Sequence, residues 1–100
     1  MIRFHGQAAT HNAGLLIGRL CRHFHHKGSI ETMEDGAQVR FDFGQCRMRA
    51  VAEHLLLDCQ VADEPAGQRM RFVLEDHLLR FARHETLQLE WQAAPLEDDA

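Results

Sequence analysis

Val39-Arg40-Phe41-Asp42-Phe43-Gly44-Gln45-Cys46-Arg47-Met48-Arg49-Ala50 is the stretch that decides the fold of this 100-residue chain. Val39, Phe41 and Phe43 alternate with Arg40 and Asp42, which predicts a strand buried on one face only. Phe43-Gly44-Gln45 supplies a turn. Cys46, Met48 and Ala50 then alternate with Arg47 and Arg49 on the way back. Upstream, Glu34-Asp35-Gly36 predicts a hairpin turn, with the glycine available for positive φ. Downstream, Ala52-Glu53 turns the chain again, and Leu55, Leu57, Cys59 and Val61 alternate along the next strand. Tight connections in succession make an antiparallel meander.

The flanks read as helices and outer strands. Ile2 to Ala8 is a weak first strand. Thr10 can N-cap a helix from His11 to about His26. Ala13, Leu16, Ile17, Leu20 and Phe24 form its apolar stripe, and Gly28 is placed to end it in a left-handed cap. Asp63 is the N-cap of a second helix, with Glu64 and Pro65 in its first turn. Its stripe is Met70, Leu74, Leu78 and Phe81, Gly67 weakens it, and Glu85 closes it. Thr86 to Gln92 is a last strand with Leu87, Leu89 and Trp91 on one face. The order is β-α-β-β-β-β-α-β. A one-faced sheet must bury its apolar side, and two single-stripe helices are available to cover it. The expected class is two-layer α+β, a mostly antiparallel five- to six-stranded sheet with both helices on one face. The other face, with Arg40, Asp42, Arg47 and Arg49, is open to water or a partner.

Length and composition allow one domain, residues 1–94, followed by an acidic tail over 95–100 that is expected to be disordered. No apolar run approaches the roughly 20 residues that span a bilayer. The N-terminus lacks a secretory pattern, so the cytoplasm is the default compartment and no membrane partner is expected. Cys21, Cys46 and Cys59 are odd in number and lack a C-x-x-C spacing, which favours reduced thiols. The net charge is −4. Without Glu97, Asp98 and Asp99 the body holds 12 acidic and 11 basic residues, no footprint for nucleic acid.

Cys21-Arg22-His23-Phe24-His25-His26-Lys27 and His77-Leu78-Leu79-Arg80-Phe81-Ala82-Arg83-His84-Glu85 together hold five of the eight histidines. On a helical wheel, His23 lies about 60° from the first stripe's centre at Leu20 and His26 about 120° away. His77 lies about 60° from Leu74 on the second helix. If the helices are neighbours, His23 and His77 face each other at the seam. His26 or Cys46 could then complete an iron or zinc site, since both metals accept imidazole nitrogen. The competing reading is two partly buried histidines, each bonded to a backbone carbonyl or to the other. Arg80 and Arg83 with Glu85 admit an anion site or a surface ion pair. There is no G-x-S-x-G, phosphate loop or H-E-x-x-H, one serine and no tyrosine. Cys21 with His25 is the one thiol–imidazole spacing. The sequence leans away from an enzyme.

Leu20–Lys27, Phe43–Ala50 and His77–Glu85 resemble a bacterial family, domain of unknown function 2218. The family pattern is L-C-K-H-[FW]-x-H-K, then G-x-C-x-[LM], then H-L-x-R-F-A-x-R-E-x-L-x-[IVL]-x-W. The matching positions are Cys21, His23, His26, Lys27, Gly44, Cys46, His77, Arg80, Phe81, Glu85 and Trp91, and the likeness runs from Ala9 to Trp91. His25 is an extra histidine, His84 stands where the family has arginine, and Arg22 replaces a lysine. The family has no established activity. Similar domains occur fused to siderophore-interacting flavoproteins that reduce iron–siderophore complexes, so the resemblance implies iron handling.

Two functions are therefore expected. One is a non-catalytic domain tied to iron or siderophore metabolism, with His23, His26, His77 and Cys46 towards a metal and Arg80, Lys27 and Glu85 towards a ligand. The other is an interaction module with structural histidines, docking a second copy or a flavoprotein through the polar face or the edge around Ile30–Met33.

Overall fold

The computed structural model describes residues 1–82 and 87–93. Its elements are β1 (Ile2–Ala9), α1 (Ala13–Phe24), β2 (Ser29–Met33), β3 (Gly36–Phe41), β4 (Gly44–Val51), β5 (His54–Val61), α2 (Glu64–Phe81) and β6 (Glu90–Gln92). The six strands form one antiparallel sheet in the order β2-β3-β4-β5-β1-β6. The expected α+β architecture holds, and of the two strand numbers the sheet has six.

The meander β2 to β5 runs back across the sheet until β5 meets β1, with Phe4 opposite Cys59 and Gly6 opposite Leu57. The strand that looked weak in sequence is therefore interior, paired with β5 on one side and β6 on the other. α1 carries the chain from β1 across the sheet to its far edge. α2 carries it from β5 past β1 to the opposite edge. Both helices pack on the same face and against each other. Between them lies one core, with Leu16, Leu20, Phe24, Met48, Leu55, Leu57, Met70, Leu74 and Leu78 buried in it.

Several local expectations change in detail. α1 begins at Ala13 and not His11, because Thr10 is still tied to the sheet through its N–H to the Glu53 carbonyl at 3.0 Å. The Thr10 hydroxyl instead accepts the Asn12 N–H at 3.0 Å, one turn-forming bond ahead of the helix. α1 stops at Phe24 with His25 still in right-handed backbone. Gly28 is not its left-handed cap. A Cβ at Gly28 would collide with the Arg40 carbonyl, so close approach to β3 is what the position requires. The β2–β3 turn falls on Glu34-Asp35, and Gly36 is already in β3 without positive φ. Phe43 lies in the β3–β4 turn rather than the strand, stacked on Phe41 at 5.0 Å with the Arg69 guanidinium over its ring at 4.4 Å. Asp63 caps α2 as expected, accepting the Ala66 N–H at 3.0 Å. Among the described residues the last strand starts at Glu90. Its Trp91 indole N–H donates to the Glu75 carboxylate at 2.6 Å, tying β6 to α2. α2 ends at Phe81, short of the close expected at Glu85, with Ala82 already off helical backbone at φ −98° and ψ 52°. Glu85, Thr86 and the tail over 95–100 lie outside the described residues.

The β4–β5 turn carries an unusual residue choice. Ala52 and Glu53 are both left-handed, with φ of 47° and 64°. That pair of angles suits a two-residue hairpin, but the positions normally carry Asn-Gly. Left-handed backbone costs a residue with a Cβ roughly 1–2 kcal/mol. The double substitution Ala52→Asn/Glu53→Gly is expected to stabilise the domain by about 1–2 kcal/mol, read as a higher urea midpoint at unchanged m-value.

Candidate functional site

The site lies at the seam between the helices. His23 occupies the last turn of α1 and His77 the penultimate turn of α2. Both border their apolar stripes, as the wheel predicts. Packing both helices on one sheet face brings the two imidazoles to 4.3 Å between centroids, tilted by 48°. Phe24 packs edge-on against both rings, at 5.3 Å from His23 and 5.1 Å from His77, and Phe81 lies 6.1 Å from His23. The pair thus has an aromatic floor. His77 is half-buried and His23 faces water.

Hydrogen bonding fixes one tautomer. His77 Nδ1 lies 2.7 Å from the Val73 carbonyl oxygen. A carbonyl only accepts, so Nδ1 carries a proton, and in the neutral ring Nε2 is the nitrogen left with a lone pair. A backbone carbonyl orienting one ring nitrogen is also how ligating histidines are commonly held. The competing sequence reading, a histidine bonded to a carbonyl, therefore describes the same bond. The two roles are compatible.

The surroundings of the pair are basic. Although His23 is exposed, partial desolvation is the first cause holding its pKa below the ordinary value, followed by the charge of His77 and then by Lys27, Arg80 and His26. The shift favours the neutral form of the His23 ring, the form with a lone pair to give. Arg80 is itself paired with Asp76 one turn back, at 3.2 Å.

The other expected ligands do not join the pair. The His26 ring packs on His25 at 3.7 Å, in the turn after α1. Cys46 is wholly buried in β4, opposite Cys59 of β5. Its place on the core face is what its alternation with Arg47 already implied. Among the described residues no group of three or more His, Cys, Asp or Glu side chains is arranged to hold a metal ion. Glu85 and His84 lie outside the described residues. Cys21 is no activated nucleophile: its pKa is raised by burial, the reverse of what thiolate chemistry needs. Sequence reading had missed the Phe24 and Phe81 rings as walls of the pair. Their signal was the aromatic one position after His23 and four after His77.

The lowered pKa sets a pH dependence. The unfolded chain, with His23 near 6.5, binds more protons than the folded one as pH falls through that value. Stability linked to His23 is then present above pH 6.5 and is lost below it, down to the folded pKa. In a proton NMR titration the His23 ring is expected to turn over below 6.5, and closer to 6.5 in His77→Gln. A wild-type midpoint at or above 6.5 would contradict the electrostatic account.

Comparison with known proteins agrees with this picture of the fold. No curated protein matches the chain. The NMR structure of PA4090 from Pseudomonas aeruginosa superposes with a TM-score of 0.79 at 32% identity, over 95% of this chain and 99% of that one. No helix is long and apolar enough to cross a membrane among the described residues. A family described as uncharacterized protein conserved in bacteria, DUF2218, matches residues 5–92, which include the whole of both histidine segments. The chain belongs to the DUF2218 family.

Proposed function

We propose that this is a non-catalytic binding domain whose seam histidines take a divalent metal, zinc or ferrous iron, that arrives with the rest of its coordination supplied by water or a chelator. The observation that carries the reading is His77. Its Nδ1 proton is committed to Val73, Nε2 is the ring nitrogen left for a ligand, and a second imidazole, with its pKa lowered, lies 4.3 Å away ring to ring. Two protein donors leave a four-coordinate ion half open. That suits an ion being handed over better than one locked into a structural site. Lys27 and Arg80 favour an anionic chelator over a bare cation, since both add positive charge beside His23. The association of similar domains with flavoproteins that reduce iron–siderophore complexes supports iron as the ion. Imidazole ligation suits the ferrous product of such a reduction.

A second reading rests on β2. It is the outermost strand, paired with β3 alone, and Ser29–Met33 carries a single charge, Glu31. An edge with so little to block it can add a strand from a second copy or from a flavoprotein partner.

Anaerobic titration with Fe(II), and separately with Zn(II), tests the first reading. Bound metal is measured by elemental analysis after gel filtration. One ion per chain is expected, with binding weakened about tenfold or more in His23→Ala/His77→Ala at an unchanged far-UV spectrum. Equal uptake by the double variant, or none by the wild type, would sink it. Sedimentation at rising concentration tests the second reading in its homodimer form. A monomer–dimer shift that disappears in Ile30→Lys is expected, and a monomer at every concentration would remove it.

A further inference from the structure

The sheet face opposite the helices is built in rows. Register sets Arg40, Gln45, Gln60 and Arg3 side by side across β3, β4, β5 and β1. The next row is Gln38, Arg47, Asp58 and His5. Arg49 stands beyond Arg47 on the same face of β4. On this face the four inner strands hold four arginines and one acid, Asp58, in a chain whose net charge is −4. Glu31 and Glu90 stand only on the edge strands. Strand alternation alone would scatter charges of both signs. Here the positive ones are gathered on one rigid surface.

A concavity of about 180 Å³ lies within these rows, lined by Arg3, Arg47, Arg49, Asp58 and the amides of Gln38, Gln45 and Gln60. A single water needs only about 10–15 Å³, so this space is ligand-sized. The amides form a chain. The Gln38 side-chain N–H donates to Gln45 at 3.4 Å, and that of Gln45 to Gln60 at 3.3 Å. Each NH₂ has two hydrogens, so the chain leaves donors for a bound group. The Arg47 guanidinium pairs with Asp35 at 3.5 Å across an exposed pair, an interaction of small strength. Guanidinium forks and amide N–H groups are the donors that oxyanions select.

We propose that this open sheet face is a second binding site, separate from the helix seam, for a small multiply charged oxyanion. Arg3, Arg47 and Arg49 grip its negative groups above a floor of glutamine amides. The ligand class is a polycarboxylate or a short phosphate chain, which share that chemistry. Asp58 tempers the site and sets an upper limit on its affinity. This site requires no metal at the histidine pair, and it stands on different residues.

Amide NMR titrations with citrate and with pyrophosphate, each at constant ionic strength, test it. Saturable shifts are expected at residues of β3, β4, β5 and β1 on this face. Response to citrate alone identifies a polycarboxylate site, and response to pyrophosphate alone a phosphate site. Arg3→Gln/Arg49→Gln should weaken binding about tenfold or more, as expected for lost hydrogen bonds to a charged group. Asp58→Asn should tighten it, a change that mere damage to the sheet would not produce. The proposal is overturned if neither anion gives saturable shifts on this face, if the arginine variant binds as tightly as the wild type, or if the shifts centre on His23 and Lys27.

Discussion

Leu55, Leu57, Cys59 and Val61 put four apolar side chains of β5 on one side, buried, while Leu56, Asp58 and Gln60 face the other, where Leu56 is the one apolar exception. β3 and β4 alternate in the same way, with Val51 at the end of β4 left on the open face. Burying that single face against helices constrains everything else in the molecule. Each apolar side chain of this size contributes roughly 1.5–3 kcal/mol when removed from water, and the sheet offers nowhere else to place α1 and α2. Both must lie on it together, and their shared border becomes the seam where His23 meets His77.

The same constraint explains why the two candidate sites differ in kind. At the seam, an aromatic floor of Phe24 and Phe81 excludes water on one side. Desolvation and neighbouring cations then lower the His23 pKa, which favours the form of that ring that gives a lone pair. The uncovered face has no such floor. It carries arginine and glutamine on backbone held by hydrogen bonds on both sides, which makes it a donor of protons to anions. The imidazole pair and the row of hydrogen-bond donors lie on opposite sides of one sheet.

The edges are fastened differently. β6 is only three residues long among the described residues, yet it is held by the Trp91–Glu75 bond and by the indole lying over Gly6, where a Cβ would come within 2.7 Å of the ring. Phe4 meets the same indole edge-on at 5.4 Å. β2 is held by its pairing with β3 and by Ile30 packed on the core, with no side-chain bond of that kind among the described residues.

Much of this was legible in the residues alone. Period-two alternation over Val39–Val61 and two period-3.6 stripes specify strands, helices and the face each buries, because those patterns depend only on local backbone geometry. The wheel positions of His23 and His77 were likewise local facts, as was the Asp63 cap. Tertiary structure decided the rest. β1 became an interior strand because its partner, β5, lies some fifty residues away, a distance that no local pattern spans. Gly28 and Gly36 proved to be close-approach positions because the carbonyls they make room for belong to other strands. Cys46 was set apart from the histidines by register with Cys59, and His26 by the turn after Phe24. That His23 and His77 would stand 4.3 Å apart followed only once the two helices were packed side by side on one face, since contact between distant residues is a property of packing and not of sequence.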